Sequence, residues 1–207
     1  ALLTALALAV ASVRGGDTVR VELEGHGREE DVVPGADISR TVGWFTSMFP
    51  VALDLTGIDI DDALEGGPAA GDALARAPRS LRALPDNGIG FGVLHRFNPE
   101  FADGFAGYRR PEVVFNYLGR MTLGEEAGAP GSGAPGAPAL GGAVDPSTPL
   151  DHVLQVDAIT EDTEDGPVLD CEFAAATGVV GAGTLELLSQ RWVQALTALA
   201  GRRSPVA

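Results

Sequence analysis

Lysine is absent from the 207-residue sequence, and all 14 basic residues are arginines. Acidic residues number 29, so the formal net charge is −15. A surface with this excess of negative charge repels phosphate backbones and anionic lipid headgroups. We therefore expect neither a nucleic-acid partner nor a membrane-surface partner.

Cysteine and long apolar runs are also scarce. Cys171 is the single cysteine, which excludes an intrachain disulfide and fits a cytoplasmic protein. We interpret it as a small residue in a strand rather than a catalytic thiol. No apolar run reaches the ~20 residues that a membrane-spanning helix needs. Residues 1–13 are apolar but have no basic leader, so we expect no signal peptide. Because the first residue is Ala1 rather than Met, we expect the sequence to begin inside a longer chain.

The pattern of apolar residues predicts alternating helices and strands, which is typical of an α/β sandwich with a mixed sheet. The predicted strands are Thr18–Glu24, Phe49–Leu55, Pro111–Leu118, Leu150–Ile159 and Val168–Ala175, with a short strand or turn at Ile89–Leu94 and a hairpin turn at Glu164–Pro167. The predicted helices are residues 2–13, a short helix from Asp59, a second from Ala70 that Pro78 should kink, and a final helix from a Thr184 cap to Ala200. Residues 124–143 are nearly all Gly, Ala, Pro, Ser and Glu, which predicts a mobile loop.

The strand Thr18–Glu24 leads directly into a candidate site, the segment Glu24–Glu29 (Glu-Gly-His-Gly-Arg-Glu). The two glycines that flank the histidine let the backbone turn sharply and leave room for a substrate. Apolar and polar residues alternate along this strand from Val19 to Glu24, so Glu22, Glu24 and His26 share a face by strand parity. From these residues alone, three interpretations stay open: a solvated edge, acid/base chemistry, or a metal site.

Three further segments place polar or aromatic side chains next to glycine. Arg40–Thr46 (Arg-Thr-Val-Gly-Trp-Phe-Thr) is most simply a hydrophobic plug that packs against the core. Leu84–Gly92 superficially suggests a phosphate loop, but no Lys-Ser or Lys-Thr pair follows it and no helix is predicted after it. Phe115–Gly119 ends a predicted strand with Asn116 and Tyr117, which either satisfy hydrogen bonds in the core or line a site.

Taken together, these segments resemble the epimerization domains of nonribosomal peptide synthetases, which belong to the condensation-domain superfamily. The resemblance rests on the wording and order of Glu24–Glu29, Arg40–Pro50, Pro85–Gly92 and Phe115–Gly119, with further similarity in Leu140–Pro146 and the terminal helix. It covers essentially the whole chain. The Glu-Gly-His-Gly-Arg-Glu segment is the specific part, because ordinary condensation domains carry different wording there.

The resemblance implies a chloramphenicol acetyltransferase-like two-layer sandwich that forms one lobe of a bilobal domain. Residues 1–207 would be the C-terminal lobe, because the family's His-His-x-x-x-Asp-Gly motif belongs to the N-terminal lobe and does not occur in this sequence. A carrier protein would deliver an aminoacyl or peptidyl thioester on its phosphopantetheine arm into a tunnel between the lobes. No cofactor would then be bound directly, and no metal is expected.

The implied activity is exchange of the α-proton, which interconverts L and D centres. Glu24 is the predicted acid/base residue, while Asn116 and Tyr117 would border the tunnel and donate to the developing enolate oxygen. The remaining predicted site residues shape the loop or the tunnel, and they are Gly25, His26, Gly27, Arg40 and Trp44. The expected partners are a peptidyl carrier protein, the N-terminal lobe and neighbouring synthetase modules.

The sequence leaves two other functions open. One is the C-terminal lobe of a condensation domain, which forms a peptide bond. The other is a non-catalytic lobe that only binds carrier protein. Where the family commonly has a basic, continuous helix before Pro85, this chain has Ala75, Ala77 and Pro78, and that departure keeps the second alternative open.

Overall fold

The computed structural model describes residues 1–101, 103–122 and 150–201. The predicted loop 124–143 and the segment Leu140–Pro146 lie outside the described residues. The strands are β1 (Thr18–Gly25), β2 (Ser47–Asp54), β3 (Val113–Thr122), β4 (Leu154–Thr163) and β5 (Gly166–Ala175). The α-helices are α1 (Leu2–Arg14), α2 (Ile60–Leu64), α3 (Pro68–Arg82), α4 (Gly90–Phe97) and α5 (Ala182–Ala200).

The strands form one mixed sheet in the order β2-β1-β3-β4-β5. The three central strands β1, β3 and β4 are mutually parallel, and each outer strand is antiparallel to its neighbour. Strands β4 and β5 form the predicted hairpin, in which Thr163 pairs with Gly166. The predicted α/β fold with a mixed sheet is confirmed.

Helices cover one face of this sheet. Helix α1 is apolar on all sides, and its residues 4–11 are all buried, as expected for a helix with no polar face. It packs against both α5 and β1. On α5, Trp192 donates a hydrogen bond from Nε1 to the Leu2 carbonyl at 3.3 Å, and its ring meets Phe173 edge-on at 5.7 Å. These contacts tie the terminal helices to each other and to the sheet.

Alternation along β1 separates the two faces of the sheet. Val19, Val21 and Leu23 are buried in the core beneath the helices. Glu22 and Glu24 point the opposite way, because successive side chains in a strand alternate. We call this second side the polar face and define it by Glu22, Glu24, Asn116, Gln155 and Asp157. The predicted alternation of β1 is confirmed.

The prediction of a strand or turn at Ile89–Leu94 is wrong, because residues Gly90–Phe97 form α4. The Phe91 ring stacks on His95 one helical turn later, with centroids 5.4 Å apart. Both rings also contact Phe105 and Tyr108. This aromatic packing outweighs the low helix propensity of the two glycines in α4.

The helix boundaries also differ from prediction. Helix α3 begins at Pro68 and continues through Pro78 to Arg82. Its buried residues are Ala70, Ala73 and Ala77, and this packing outweighs the hydrogen bond that a proline nitrogen cannot donate. Helix α5 begins after the cap residue Gly181. Thr184 lies inside its first turn, with its N–H donating to the Gly181 carbonyl at 2.9 Å, so it is not the cap.

Strands β3 and β4 extend further along the chain than predicted. The β3–β4 register shifts between Tyr117 and Arg120, where Gly119 adopts a φ of +91°. Glycine tolerates this conformation, so the strand continues past an irregularity to Thr122. The segment Phe115–Gly119 therefore lies inside a strand rather than at its end. Among the helices that the structure describes, none has the length and apolar character needed to cross a membrane.

Candidate functional site

Glu24 lies near the end of β1, on the polar face. Met48 of β2 is its register partner. On the other side, Leu23 pairs with Phe115 of β3, so Asn116 is the next position across from Glu24. Asn116 in turn pairs with Asp157 of β4. The structure therefore brings Glu24, Asn116 and Asp157 to one face across three adjacent strands.

Glu24 is partly buried, and its pKa is raised above the ordinary value for a glutamate. Burial is the main cause, and the negative charges of Asp157 and Glu22 raise the pKa further. His152 acts in the opposite direction. A carboxyl group with a raised pKa changes its protonation state closer to neutral pH, which suits it to take up and release protons.

A buried cluster lies beside Glu24 on the same face. Glu22 Oε2 accepts a hydrogen bond from Arg110 Nε at 2.8 Å, and it lies 2.5 Å from His152 Nε2. The side chains of Glu22 and His152 are only 4% and 6% exposed. Arg110 also approaches Asp151, with Nη1 and Oδ2 3.8 Å apart. We call Glu22, His152 and Arg110 the triad. The buried Glu22 depends on both partners, because a buried carboxylate left without a partner is strongly destabilising.

A cavity of about 630 Å³ is lined by two members of the triad, Glu22 and Arg110, together with residues of β2 and α4. Its apolar lining includes Phe45, Met48, Ile89, Phe91, Val93 and Phe97, and its polar lining includes Glu22, His95, Arg96, Tyr108 and Arg110. Glu24 does not line this cavity, but its register partner Met48 and the nearby Glu22 of β1 both do. The cavity is therefore adjacent to the candidate acid/base residue rather than centred on it.

Tyr108 joins the aromatic cluster of α4 to the triad. Its ring packs against Phe91, His95 and Phe105. Its hydroxyl is buried and has no hydrogen-bond partner within the described residues. Burial, followed by the charge of Glu22, raises the pKa of this phenol. Tyr108 thus stays neutral and presents an apolar ring to the cavity.

The segment after Glu24 is a tightly tied loop. His26 Nδ1 accepts a hydrogen bond from the Arg28 N–H at 3.0 Å, and its Nε2 lies 3.4 Å from Glu29 Oε1. Gly27 has a φ of +66°, and a Cβ there would lie 1.6 Å from the Phe45 carbonyl oxygen. Only glycine fits at this position. The contacts of His26 and the backbone of Gly27 both act on loop shape.

Arg28 holds the far side of the same loop. Its guanidinium donates to the carbonyls of Ile38 and Thr41 at 3.1 and 3.0 Å. It also lies 4.3 Å from the centre of the Phe45 ring, a cation–π arrangement. These contacts orient Phe45, which lines the cavity.

The other predicted residues of this region are placed differently. Trp44 is 90% exposed and Arg40 is exposed as well, so the predicted hydrophobic plug is wrong. Arg28 binds two carbonyls of this loop, and Phe45 rather than Trp44 lines the cavity. Gly25 is the last residue of β1, where a Cβ would lie 3.1 Å from atoms of Phe49 and Ser47. It therefore accommodates a close approach of β2.

Asn116 and Tyr117 are separated by strand alternation. Asn116 lies on the polar face with Glu24, whereas Tyr117 pairs with Ala158, a residue of the helix-covered core. The Tyr117 hydroxyl is 2.9 Å from Thr160 Oγ1, within hydrogen-bond distance. Consecutive residues in a strand cannot both face the same side. The structure thus brings Asn116 to Glu24 and leaves Tyr117 on the opposite face.

The described groups suit proton transfer. A partly buried carboxyl with a raised pKa lies beside an amide side chain and next to a cavity. Within residues 1–101, 103–122 and 150–201, no three His, Cys, Asp or Glu side chains lie close enough together to hold a metal ion.

Comparison with known protein families identifies the family to which this chain belongs. The family model described as the condensation domain matches residues 1–200. This chain belongs to the condensation-domain family. The predicted membership of the condensation-domain superfamily is thereby confirmed.

Relatives of this condensation-domain chain are long synthases. A linear gramicidin synthase of Brevibacillus parabrevis is 43% identical over 130 residues, which are 62% of this chain and 2% of that protein. Chondramide synthase of Chondromyces crocatus is 40% identical over 168 residues, which are 78% of this chain and 4% of that protein. The chain therefore spans only a few per cent of the length of these relatives.

Solved structures support the same fold. The epimerization domain from the third module of tyrocidine synthetase B superposes with a TM-score of 0.72 and 27% identity. The match covers 97% of this chain and 41% of that one. The X-domain from teicoplanin biosynthesis superposes with a TM-score of 0.53 and 17% identity, covering 95% of this chain and 40% of that one. At 17% identity, the similarity to the X-domain shows only that the two chains share a fold.

Sequence reasoning missed three residues of the site in this condensation-domain chain: Arg110, His152 and Tyr108. It grouped Glu22 with Glu24 by parity but did not identify the partners of Glu22. Those partners lie 88 and 130 residues further along the chain. No local pattern connects positions at that separation. The signal that was present is the buried setting of Glu22 between Val21 and Leu23, because a buried carboxylate requires a partner.

Proposed function

We propose that this chain is the C-terminal lobe of an epimerization domain in a nonribosomal peptide synthetase, and that it contributes Glu24 as an acid/base residue. The observation that carries the proposal is a partly buried Glu24 with a raised pKa, at a strand end beside a cavity. Two features support epimerization specifically. One is the Glu-Gly-His-Gly-Arg-Glu segment, and the other is the 27% identity to a solved epimerization domain.

The proposed reaction exchanges one proton without a redox step. The Glu24 carboxylate removes the proton from the α-carbon of an aminoacyl or peptidyl thioester. The electron pair of that C–H bond moves to the thioester carbonyl, which becomes an enolate. A proton returned to the opposite face of the α-carbon inverts the centre. The group that acts on that face would come from the N-terminal lobe, in which the family carries its histidine motif.

Charge that develops on the carbonyl oxygen needs a donor. Asn116 lies on the same face as Glu24, and its side-chain amide carries two N–H donors. Fixed donors aimed at a developing oxyanion are a large source of catalysis. We therefore assign Asn116 this role. Tyr117 faces the other side of the sheet and is left out of the proposed mechanism, while His26 and Gly27 act by shaping the loop.

The proposed substrate arrives attached to a carrier protein. Its phosphopantetheine arm would bring the thioester between the two lobes, so this chain needs no directly bound cofactor. The named synthases among the relatives support such a setting. The expected partners are the carrier protein, the N-terminal lobe and neighbouring modules, in a cytoplasmic assembly.

Peptide-bond formation is the second candidate function, because the family model that matches is that of the condensation domain. In that reaction an amine attacks a thioester and a thiol leaves. The α-hydrogen is retained. The two candidates therefore differ in whether the α-hydrogen exchanges with solvent.

The decisive experiment uses the complete domain that contains this chain, incubated in deuterated water with a carrier protein loaded with an aminoacyl thioester. Mass spectrometry measures deuterium at the α-carbon, and chiral analysis of the released amino acid measures inversion. The variants are Glu24→Gln, which keeps the size and polarity, and Glu112→Gln as a matched control. Glu112 is 57% exposed and pairs with Arg14 at the surface.

We expect the parent domain and the Glu112→Gln control to incorporate deuterium and invert the centre. We expect Glu24→Gln to lose about 10²- to 10⁴-fold in rate, as is usual when a positioned acid/base group is removed. When a second carrier protein supplies an acceptor aminoacyl amine, amide formation with retained α-hydrogen and release of the donor thiol by the parent domain would establish the condensation alternative. Full exchange by Glu24→Gln would show that another residue is the base.

A further inference from the structure

The triad connects parts of the chain that are distant in sequence. Glu22 belongs to β1, Arg110 precedes β3, and His152 precedes β4. Both Arg110 and His152 reach the same oxygen, Glu22 Oε2. The His152 contact joins the segment before β4 to β1, and β3 lies between these two strands in the sheet. The triad thus links all three parallel strands through one carboxylate.

The position of this linkage matters because Glu24 lies two residues after Glu22 on the same face. A strand end followed by a loop is free to fray unless its side chains are held. Glu22 is held by two partners, and its side chain is only 4% exposed. Charge interactions are stronger in such a partly shielded setting than in open water. Its side chain also lines the cavity next to Glu24.

We propose that the triad is the positioning element of the Glu24 site: it holds the end of β1 against the entries of β3 and β4, and it sets the electric field in which Glu24 exchanges its proton. The inference rests on the proposed acid/base role of Glu24. Glu22 is accordingly a positioning residue and not a catalytic one, since it acts through Glu24.

The field at Glu24 comes from several elements. The charges that act on Glu24 are those of Glu22 of β1, Asp157 of β4 and His152, which precedes β4. Arg20 shares their face by parity along β1. Arg110 pairs with both Glu22 and Asp151, Glu172 of β5 is the register partner of Asp157, and the charge of Glu22 also acts on Tyr108. The facing side chains of β2 and β3, Met48 and Asn116, are uncharged. Within this set, Glu22 and His152 act on Glu24 in opposite directions.

Glu22 and His152 shift the pKa of Glu24 in opposite directions, so a pH profile of variants at these two positions tests the proposal. Removing the negative charge with Glu22→Gln makes ionised Glu24 easier to form. The acid limb of kcat/KM for α-proton exchange, which reports the base in the free enzyme, should then move to lower pH. His152→Gln removes the opposing group and should move the limb to higher pH. Arg110→Gln should act in the same direction as His152→Gln.

The experiment measures exchange on the complete domain between about pH 5 and 9, a range that brackets the titration of a glutamate with a raised pKa. The series contains the parent, the three triad variants, the Glu112→Gln control and Glu24→Gln. Thermal unfolding of each variant is followed by circular dichroism. If Glu22→Gln does not fold, the shared upward shift of His152→Gln and Arg110→Gln still tests the proposal.

We expect limb displacements of about 0.5–1 pH unit, downward for Glu22→Gln and upward for the other two, as is typical for a nearby charge. The Glu112→Gln limb should stay in place. A uniform loss of rate at every pH, with unmoved limbs, would overturn the proposal and leave the triad a purely structural feature. Shifts in the same direction for Glu22→Gln and His152→Gln would also overturn it. If Glu24→Gln keeps its exchange activity, the proposed function fails instead.

Discussion

The two faces of the sheet differ in what covers them and in what they carry. Helices α1, α3 and α5 lie over one face, where side chains such as Val21 and Phe115 are fully packed. The polar face carries Glu22, Glu24 and Asp157 and adjoins the cavity. Both faces are built from the same strands. In β1, consecutive residues place their side chains on opposite faces.

This contrast separates stability from chemistry at the level of single residues. Leu23 is 7% exposed and belongs to the core, while its neighbour Glu24 belongs to the candidate site. A well-packed apolar face can hold the strands in register without help from the second face. The second face is then free to carry groups that cost stability, such as a carboxyl whose ionised form is disfavoured.

The largest effect on activity is expected when this chain is separated from the proposed N-terminal lobe. We expect the 207-residue chain alone to exchange α-protons more than about 100-fold more slowly than the complete domain, since a positioned acid/base group of the opposite lobe would be missing. Deuterium incorporation into the same carrier-bound thioester measures the difference. Equal rates for the chain and the complete domain would show that the polar face works without a second lobe.

The next effect concerns the covered face. Leu23→Ala should lower the free energy of unfolding of the complete domain by about 2–4 kcal/mol, because it leaves a hole in a packed core. The exchange rate of the folded fraction should change only a few-fold. Urea unfolding and initial-rate measurements test the two quantities separately. A large loss of rate without a loss of stability would contradict the division between the faces.

Unlike Leu23→Ala, the Glu24→Gln substitution should not lower the free energy of unfolding. The folded-state pKa of Glu24 lies above its unfolded value, so the folded protein binds the extra proton between the two pKa values. The stabilisation that this proton gives to the folded state is fully present below the unfolded pKa. It is lost as pH rises through the folded pKa. Near pH 7 the variant should therefore be as stable as the parent or slightly more so. Urea unfolding at several pH values should show a smaller decline with rising pH for the variant.

A further effect on stability is expected in the loop that borders the polar face. Gly27→Ala places a Cβ against the Phe45 carbonyl at a φ of +66°, and should destabilise by at least about 1 kcal/mol. Gly35→Ala is the control, because Gly35 has a φ of +81° with nothing within 4 Å of the added Cβ. Chemical unfolding of both variants compares crowding plus strain with strain alone. Equal losses would show that the Phe45 contact contributes nothing.

The last prediction concerns the reactivity of Cys171, which is oriented toward the covered face. Burial and the charges of Asp170, Asp157 and Glu172 raise the pKa of its thiol to about 12. The thiolate is the reactive form. Alkylation by iodoacetamide at about pH 8 should therefore be roughly 10³-fold slower than for a free cysteine. Mass spectrometry follows the labelling, and addition of urea should restore the ordinary rate.

Much of the covered face could be predicted from local patterns. The alternation of Val19, Val21 and Leu23 predicts which side of β1 is buried. In the final helix, the spacing of apolar residues such as Leu188, Trp192 and Leu199 predicts the face that packs. The approximate position of each strand follows from similar patterns. Such signals succeed because the period of apolar residues reflects the geometry of a strand or a helix.

The local predictions failed where packing between distant parts overrode propensity. Aromatic contacts of Phe91 and His95 stabilise α4 despite its glycines, and α3 continues through Pro78 because its alanine face is buried. Trp44 is exposed because Arg28 fixes the course of the loop that carries it. In each case the deciding contact lies outside the sequence window that the prediction used.

The sequence alone determined the fold class, the family resemblance and the position of Glu24 at the end of a strand with one polar face. Only the tertiary structure decided which groups surround Glu24. It paired Glu22 with Arg110 and His152, and it set Asn116 and Tyr117 on opposite sides of the sheet. The reason is that strand register, once specified by the buried face, also fixes every position on the other face. A periodic pattern shows which way a side chain points, but the register of strands far apart in the chain determines what it meets.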